Sequence, residues 1–237
     1  MELNLSKKRS ISSSNRWRVG ARTSKLSKAQ VWEIFEEIRV FYPNAHFIPV
    51  WVKTTGDKDL RTSLKTLEKT DFFTKEIDEL LLKGEIDLAI HSAKDLPEPL
   101  REGLCVAALT KGLDPSDSLV LRDHETLDSL PPGALIGTSS KRREEAIKKL
   151  RSDLQCVDIR GNIERRLKTL DQRKVDGVIV AECALIRLQL HQRNRIRLPG
   201  ETAALQGQLA VVVRERNDHL RELFAKIDEN ALLGNRS

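Results

Sequence analysis

Five consecutive residues, His91-Ser92-Ala93-Lys94-Asp95, place an imidazole, a hydroxyl, an ammonium and a carboxylate directly after the apolar run Ile86–Ile90. Such a run forms a buried strand in a parallel sheet, and Pro97 stops any smooth continuation. Open α/β sheets hold their ligands just past the carboxyl ends of the strands, so Lys94 and Asp95 are candidate reacting groups. Three further junctions have the same make-up: Arg22-Thr23-Ser24, Thr138-Ser139-Ser140-Lys141-Arg142-Arg143 and Arg160-Gly161-Asn162. Each follows an apolar run and opens a helical segment. A helix N-terminus attracts anions through its free N–H groups and dipole. An arginine fork adds two-point contact with a carboxylate, at roughly 1.5–3 kcal/mol per charged hydrogen bond. One such loop alone is a simple helix cap; four at strand ends describe a cleft built for a polyanion. A phosphate loop is excluded, because neither GxxxxGK[ST] nor GxGxxG occurs.

Asp95 is the only acid within this set. It has no second carboxylate with which to form an acid/base pair, so its chemistry is to stabilise a cation or to exchange protons with nitrogen. At ~4 Å and an effective dielectric of ~20, opposite charges attract by roughly 4 kcal/mol. Realised only in the transition state, that is about three orders of magnitude in rate. His91 reads as a hydrogen-bonded structural residue before it reads as a base, and Ser92 has no partnered base that would make it a nucleophile. Arg166 and Arg187 belong with the cleft, whereas Arg165 reads as part of a solvated helix face. The three cysteines, Cys105, Cys156 and Cys183, sit in or beside apolar runs as reduced core residues, and no cluster has metal-ligand spacing.

The elements that must position these groups alternate as strand, polar loop and helix. Strands are expected at Trp17–Ala21, His46–Val52, Ile86–Ile90, Gly103–Leu109, Ser118–Leu121, Ala134–Gly137, Leu154–Ile159, Val175–Val180 and Leu209–Val213. Helices are expected at Leu26–Val40, Phe72–Lys83 (with Phe73, Ile77, Leu80 and Leu81 inward), from the Thr138–Arg143 loop to Leu150, Ile163–Gln172, Ala184–Leu190 and Asp218–Asp228. Thr126–Leu130 reads as a short helical turn and Lys53–Thr70 as a polar loop. The alternation predicts parallel sheets with covering helices, and it restarts after Asp114-Pro115. The fold class is therefore α/β with two lobes of mainly parallel sheet and a cleft between them. Residues 17–111 with 207–237 form the first lobe, 112–206 the second, and 1–16 a flexible basic tail.

Composition agrees with a polyanionic ligand. The 237 residues carry a formal charge of +6, which favours an anionic partner. Aromatic residues are only 4% of the chain and the basic residues are mixed with acids, which argues against a nucleic-acid surface. No apolar run approaches a membrane span. The odd, unpaired cysteine set and the lack of a secretory core point to the cytoplasm.

Taken in order, RVGARTSKLSKAQ, IDLAIHSAKDLP, IGTSSKRR, DIRGNIERRLKTL and ALIRLQL resemble the porphobilinogen deaminase (hydroxymethylbilane synthase) family, over about Trp17 to Arg214. The resemblance implies a lobed fold of the type II periplasmic-binding-protein kind. It implies an enzyme that joins four porphobilinogen units, with loss of ammonia, into a linear tetrapyrrole primed on a dipyrromethane cofactor. Carried over residue by residue, Asp95 is the catalytic acid that stabilises the azafulvene cation left when ammonia departs. Ser92 and Lys94 contact the cofactor, and Arg22, Ser24 and Gln30 lie near the acetate and propionate groups. Thr138, Ser139, Ser140, Arg142, Arg143, Arg160, Gly161, Arg166 and Arg187 form the anion-binding set of the second lobe. Porphobilinogen is the expected partner of a monomeric, metal-free protein. The family's third domain, which carries the cofactor cysteine in a Gly-Gly-Cys loop, is expected to be absent, and none of the three cysteines matches that loop. The alternative is a non-catalytic polycarboxylate-binding module or an inactive relative.

Overall fold

The computed structural model of the chain describes residues 15–59, 61–62 and 70–234. The basic segment before Asn15 and the Leu67–Lys69 part of the polar loop lie outside them. The first sheet has the order β2-β1-β3-β10-β4, built from β1 (Arg16–Arg22), β2 (His46–Val52), β3 (Leu88–Ser92), β4 (Leu104–Leu109) and β10 (Leu209–Arg214). The second has the order β7-β6-β8-β5-β9, from β5 (Asp117–Val120), β6 (Leu135–Gly137), β7 (Gln155–Val157), β8 (Gly177–Ala181) and β9 (Arg195–Leu198).

Period-two alternation divides each strand between two cores. In the first sheet Trp17, Val19, Ala21, Leu88, Ile90, Leu209, Val211 and Val213 meet α1 (Lys25–Phe41) through Val31, Ile34 and Ile38. The opposite face places Ala89 and Val212 against Ile77 and Leu81 of α3 (Lys75–Leu82). Gly20 lies on that second face, where a Cβ would stand 2.3 Å from Ile86 and 3.1 Å from Ile77 of α3; only glycine lets these side chains pack so closely on the strand. The second sheet repeats the plan. Leu119, Ile136 and Ile179 pack under α4 (Lys141–Leu150) through Ile147. Val120, Val178 and Val180 pack under α5 (Ile163–Asp171) and α6 (Glu182–Arg187) through Leu167, Leu170 and Leu185.

Both sheets are mainly parallel, as expected, with four of the five strands in each running in one direction and a single strand reversed. β1 runs parallel to β2 and β3, and β6 parallel to β7 and β8. β10 is antiparallel to β3 and β4, and β5 antiparallel to β8 and β9. The chain's route explains the reversal. β4 and β9 end at the junction between the lobes, so the strands that follow them, β5 and β10, enter their sheets from that end and run away from it. The two crossings lie side by side: Leu113 N–H donates to the Gly207 carbonyl at 3.2 Å. Gly207 has φ +96°, and a Cβ there would stand 2.3 Å from the Leu113 carbonyl oxygen.

Smaller differences follow from local chemistry. The expected helix from Phe72 is a 3-10 turn at Asp71–Phe73 followed by α3. Thr126–Leu130 forms no helix, because the Thr126 and Ser129 side chains bond each other's backbone N–H groups. The C-terminal helix breaks into α7 (Asp218–Phe224), a 3-10 turn and α8 (Glu229–Gly234). Among its described residues the polar loop contains one helical turn, α2 (Thr55–Lys58).

Candidate active site

A cleft of about 530 Å³ opens where the carboxyl ends of β1 and β3 face those of β6, β7 and β8, and Asp95 lines it. That volume is in the range of small-molecule sites. Arg22 ends β1, and Ser24 caps α1 by accepting from Ser27 N–H at 3.1 Å. Ser92 ends β3, and the 3-10 turn Ala93–Asp95 then turns Lys94 and Asp95 into the cleft. From the second lobe come Ser139, Ser140, Arg142 and Arg143 at the start of α4, and Arg160, Gly161 and Arg166 around the start of α5. Ser140 makes no side-chain cap at the N-terminus of α4, whereas Asn162 caps α5 by accepting from Arg165 N–H at 3.0 Å.

Three of the expected site residues stand outside the main cleft. Gln30 is buried and donates to Ser92 Oγ at 2.8 Å. Thr138 is fully buried, its Oγ1 accepting from Ser140 N–H at 3.3 Å. Arg187 is a clamp between the lobes: its fork holds both carboxylate oxygens of Glu33 on α1 at 2.7 and 2.8 Å, and it also donates to the Gly207 carbonyl.

Other residues join the cleft unexpectedly. Asp57 lines it as a second acid and pairs with Arg22, so Asp95 is not the sole carboxylate. Burial pushes the Asp57 carboxyl up, but the bonds and charge of Arg22 outweigh this and hold it below the usual range. Phe73, expected inward, is half-buried in the cleft wall beneath the Arg22 guanidinium, 4.3 Å from its ring centroid. Phe72 meets Arg160 in the same way at 5.9 Å. Arg165, read as solvated, is exposed but also lines the cleft. Only the paired phenylalanines ahead of α3 could have signalled the aromatic wall.

The cations are arranged in depth. Asp117, at the start of β5 with its side chain 3% exposed, accepts from Arg143 at 2.7 and 3.0 Å and faces Arg142 at 2.6 Å. Gln206 links the lobes: its Nε2 donates to Asp117 at 2.9 Å, and its Oε1 accepts from Lys94 Nζ at 2.9 Å. Burial and the neighbouring Arg143 push the Lys94 ammonium below its usual range. Burial, then Arg143 and Arg160, lower Arg166 to about 10. Arg160 is also lowered, chiefly by burial, and its Nε is buried with no hydrogen-bond partner. Such crowding of like charges is relieved by bound anions.

Beside the cleft a recess of about 20 Å³ reaches between β3 and Phe73. His91 lines it, is 5% exposed, and its Nε2 has no hydrogen-bond partner, contrary to the expectation of a satisfied histidine. Burial, assisted by Arg22, lowers its pKa to about 4, so the imidazole is neutral at physiological pH. Cys105 and Cys156 lie half-buried in strands and Cys183 is buried at the start of α6, and none of the three lines the cleft. Among the described residues no His, Cys, Asp or Glu cluster is placed to hold a metal, and no helix is long and apolar enough to cross a membrane.

Comparison with known proteins agrees with this geometry. In overall shape the chain is similar to the methionine-binding protein MetQ (TM-score 0.56, 13% identity, 94% of each chain covered). It is equally similar to a periplasmic substrate-binding protein from Coxiella burnetii (TM-score 0.56, 16% identity, 92% of this chain and 94% of that one). These show the two-lobed binding-protein fold and nothing of the chemistry. In sequence it is 41% identical over 210 residues to a probable porphobilinogen deaminase of Chlamydia pneumoniae, covering 89% of each chain. It is 39% identical over 213 residues to the porphobilinogen deaminase of Desulforudis audaxviator, covering 89% of this chain and 69% of the relative. The family profile described as "Porphobilinogen deaminase, dipyromethane cofactor binding domain" matches residues 17–222. The chain belongs to the porphobilinogen deaminase family.

Proposed function

We propose that this cleft condenses porphobilinogen units, with release of ammonia, into the linear tetrapyrrole hydroxymethylbilane, and that Asp95 is its catalytic acid. One observation carries the reading: the Asp95 carboxylate lines a cleft whose other wall supplies Arg142, Arg143, Arg160 and Arg166, two of them with lowered pKa values. Cations at fixed positions hold the acetate and propionate carboxylates of a pyrrole. A carboxylate kept among them stabilises the one positive charge the reaction creates, on the pyrrole left when ammonia departs. Lys94 and Ser92 flank Asp95 and orient the pyrrole, while Arg22, Ser24 and Gln30 shape the first-lobe side. Thr138, Ser139, Ser140 and Gly161 set the backbone N–H groups and turns that meet the carboxylates. Arg187 acts on the site through the Glu33 clamp.

Dipyrromethane is itself a polycarboxylate, and the cleft fits it: the orphaned Arg160 Nε and the uncapped N-terminus of α4 both await an acceptor. When bound it supplies the pyrrole terminus to which the first unit is added. Arg142, Arg143, Arg160 and Arg166 would hold its carboxylates. None of the three thiols stands in the cleft wall, which favours retention by ion pairing in this chain.

In this reading residues 17–111 with 207–237 and residues 112–206 form two lobes that move about the paired crossings. The protein works as a cytoplasmic monomer without nucleic-acid or membrane partners. The even mixing of acids and bases and the 4% aromatic content support that part. The test is intact mass of the purified protein, with and without porphobilinogen, beside an assay of tetrapyrrole formation. Turnover at unmodified mass supports an ion-paired primer. Turnover with an added dipyrromethane mass overturns that part, and no consumption of porphobilinogen overturns the enzymatic reading.

A further inference from the structure

The recess beside Asp95 has a size and polarity that the condensation of pyrroles does not use. Its volume of about 20 Å³ accommodates one water-sized molecule and nothing larger. Arg22, Phe73, Ser92 and Asp95 line both the recess and the cleft, so the two spaces meet at the reacting carboxylate. His91 follows Ile90 in β3 and therefore projects to the α3 face, where Phe73 closes the recess. A buried polar atom without a partner is expensive, and His91, which lines this recess, carries one in its Nε2. Ser92 Oγ accepts from Gln30 Nε2 at 2.8 Å, which leaves its own hydrogen free to be donated. The recess thus offers acceptors at His91 and Asp95 and a donor at Ser92. Ammonia, with three N–H donors and one lone pair, matches that set.

We propose that this recess receives the departing ammonia, with His91 Nε2 accepting one of its N–H groups. The inference rests on the porphobilinogen deaminase reading. The carbon–nitrogen bond of the protonated aminomethyl group breaks and its electron pair leaves with nitrogen. Neutral ammonia is released, and the positive charge passes to the pyrrole beside Asp95. Ammonia turns into the recess, donates to His91 and Asp95, and accepts from Ser92. Because the imidazole stays neutral, it takes no proton; ammonia gains one only on reaching bulk water.

The test is isotope exchange. Enzyme, unlabelled porphobilinogen and ¹⁵N-ammonium are mixed, and ¹⁵N in the unreacted porphobilinogen is measured against tetrapyrrole formed. This ratio is independent of the fraction of active protein, so a poorly folding variant does not disturb it. The wild-type protein is expected to incorporate label, since a site that releases ammonia also admits it. His91→Phe, which fills the recess, should lower the exchange-to-turnover ratio at least fivefold, and His91→Gln, which restores an acceptor, should return it to within twofold of wild type. An unchanged ratio in His91→Phe overturns the proposal and leaves a site for structural water only. Turnover without label in the wild type also overturns it. Absence of turnover in the wild type would instead strike the enzymatic reading itself.

Discussion

Replacing Asp117 by Asn should loosen the floor of the second-lobe cation set. The Asp117 side chain is 3% exposed, that of Arg143 11% and that of Arg142 30%. Breaking a buried ion pair by neutralising one partner costs about 3–5 kcal/mol. The amide oxygen can keep the bonds to Arg143 and Gln206, while the new NH₂ faces the Arg142 donor, so the lower figure of about 3 kcal/mol applies. For a chain of this size that is a fall in Tm of roughly 6–12 °C, read by calorimetry at pH 7. Burial raises the Asp117 carboxyl, but Arg143, Gln206 and Arg142 outweigh it and hold the group below its usual range. Its stabilisation is therefore present above the unfolded carboxylate value near ~4 and is lost as pH falls through the lower folded value. The gap between wild type and variant should close in acid. KM for porphobilinogen should rise about tenfold, equivalent to ~1.4 kcal/mol, as Arg142 and Arg143 lose their anchor. A Tm within 2 °C of wild type at pH 7 refutes the reasoning.

Two further substitutions test parts of the frame away from the reacting groups. Burial pushes Asp78 on α3 up to about 6, so its charged form is disfavoured and stability falls as pH rises through 6. Asp78→Asn should add about 1–3 kcal/mol at pH 8, and urea unfolding should show the gain vanishing below about pH 4. Gly207→Ala places a Cβ 2.3 Å from the Leu113 carbonyl at φ +96°, and should destabilise by at least about 2 kcal/mol in the same assay; a change below ~0.5 kcal/mol would show that the paired crossings are not tightly held.

Much of this architecture is legible along the chain because it is local. Apolar runs such as Leu88–Ile90, Val178–Val180 and Leu209–Val213 are strands buried on both faces, and the polar groups after them fall at strand ends where ligands collect. What local reading missed depends on pairing at a distance. β9, Arg195–Leu198, alternates arginines with apolar residues and is strand only because β5 lies beside it. The reversal of β5 and β10 follows from the two crossings, which no window of sequence contains. Arg187 carries the same side chain as the cleft arginines, yet Glu33, 154 positions away, takes both of its forks. His91 reads as satisfied because a strand-end histidine usually finds a partner; that its Nε2 has none, and that a small recess lies beside it between Phe73 and β3, are properties of long-range packing.

The central claim is that the Asp95 carboxylate stabilises the cation formed when ammonia leaves. The most direct measurement is single-turnover consumption of porphobilinogen by Asp95→Asn, with folding checked by thermal melting and binding by calorimetric titration. The exchange keeps shape and removes charge, so a loss of about 4 kcal/mol in the transition state, roughly a thousandfold in rate, is expected, with Tm and porphobilinogen affinity close to wild type. Turnover within tenfold of wild type would contradict the account and move the catalytic charge to another group.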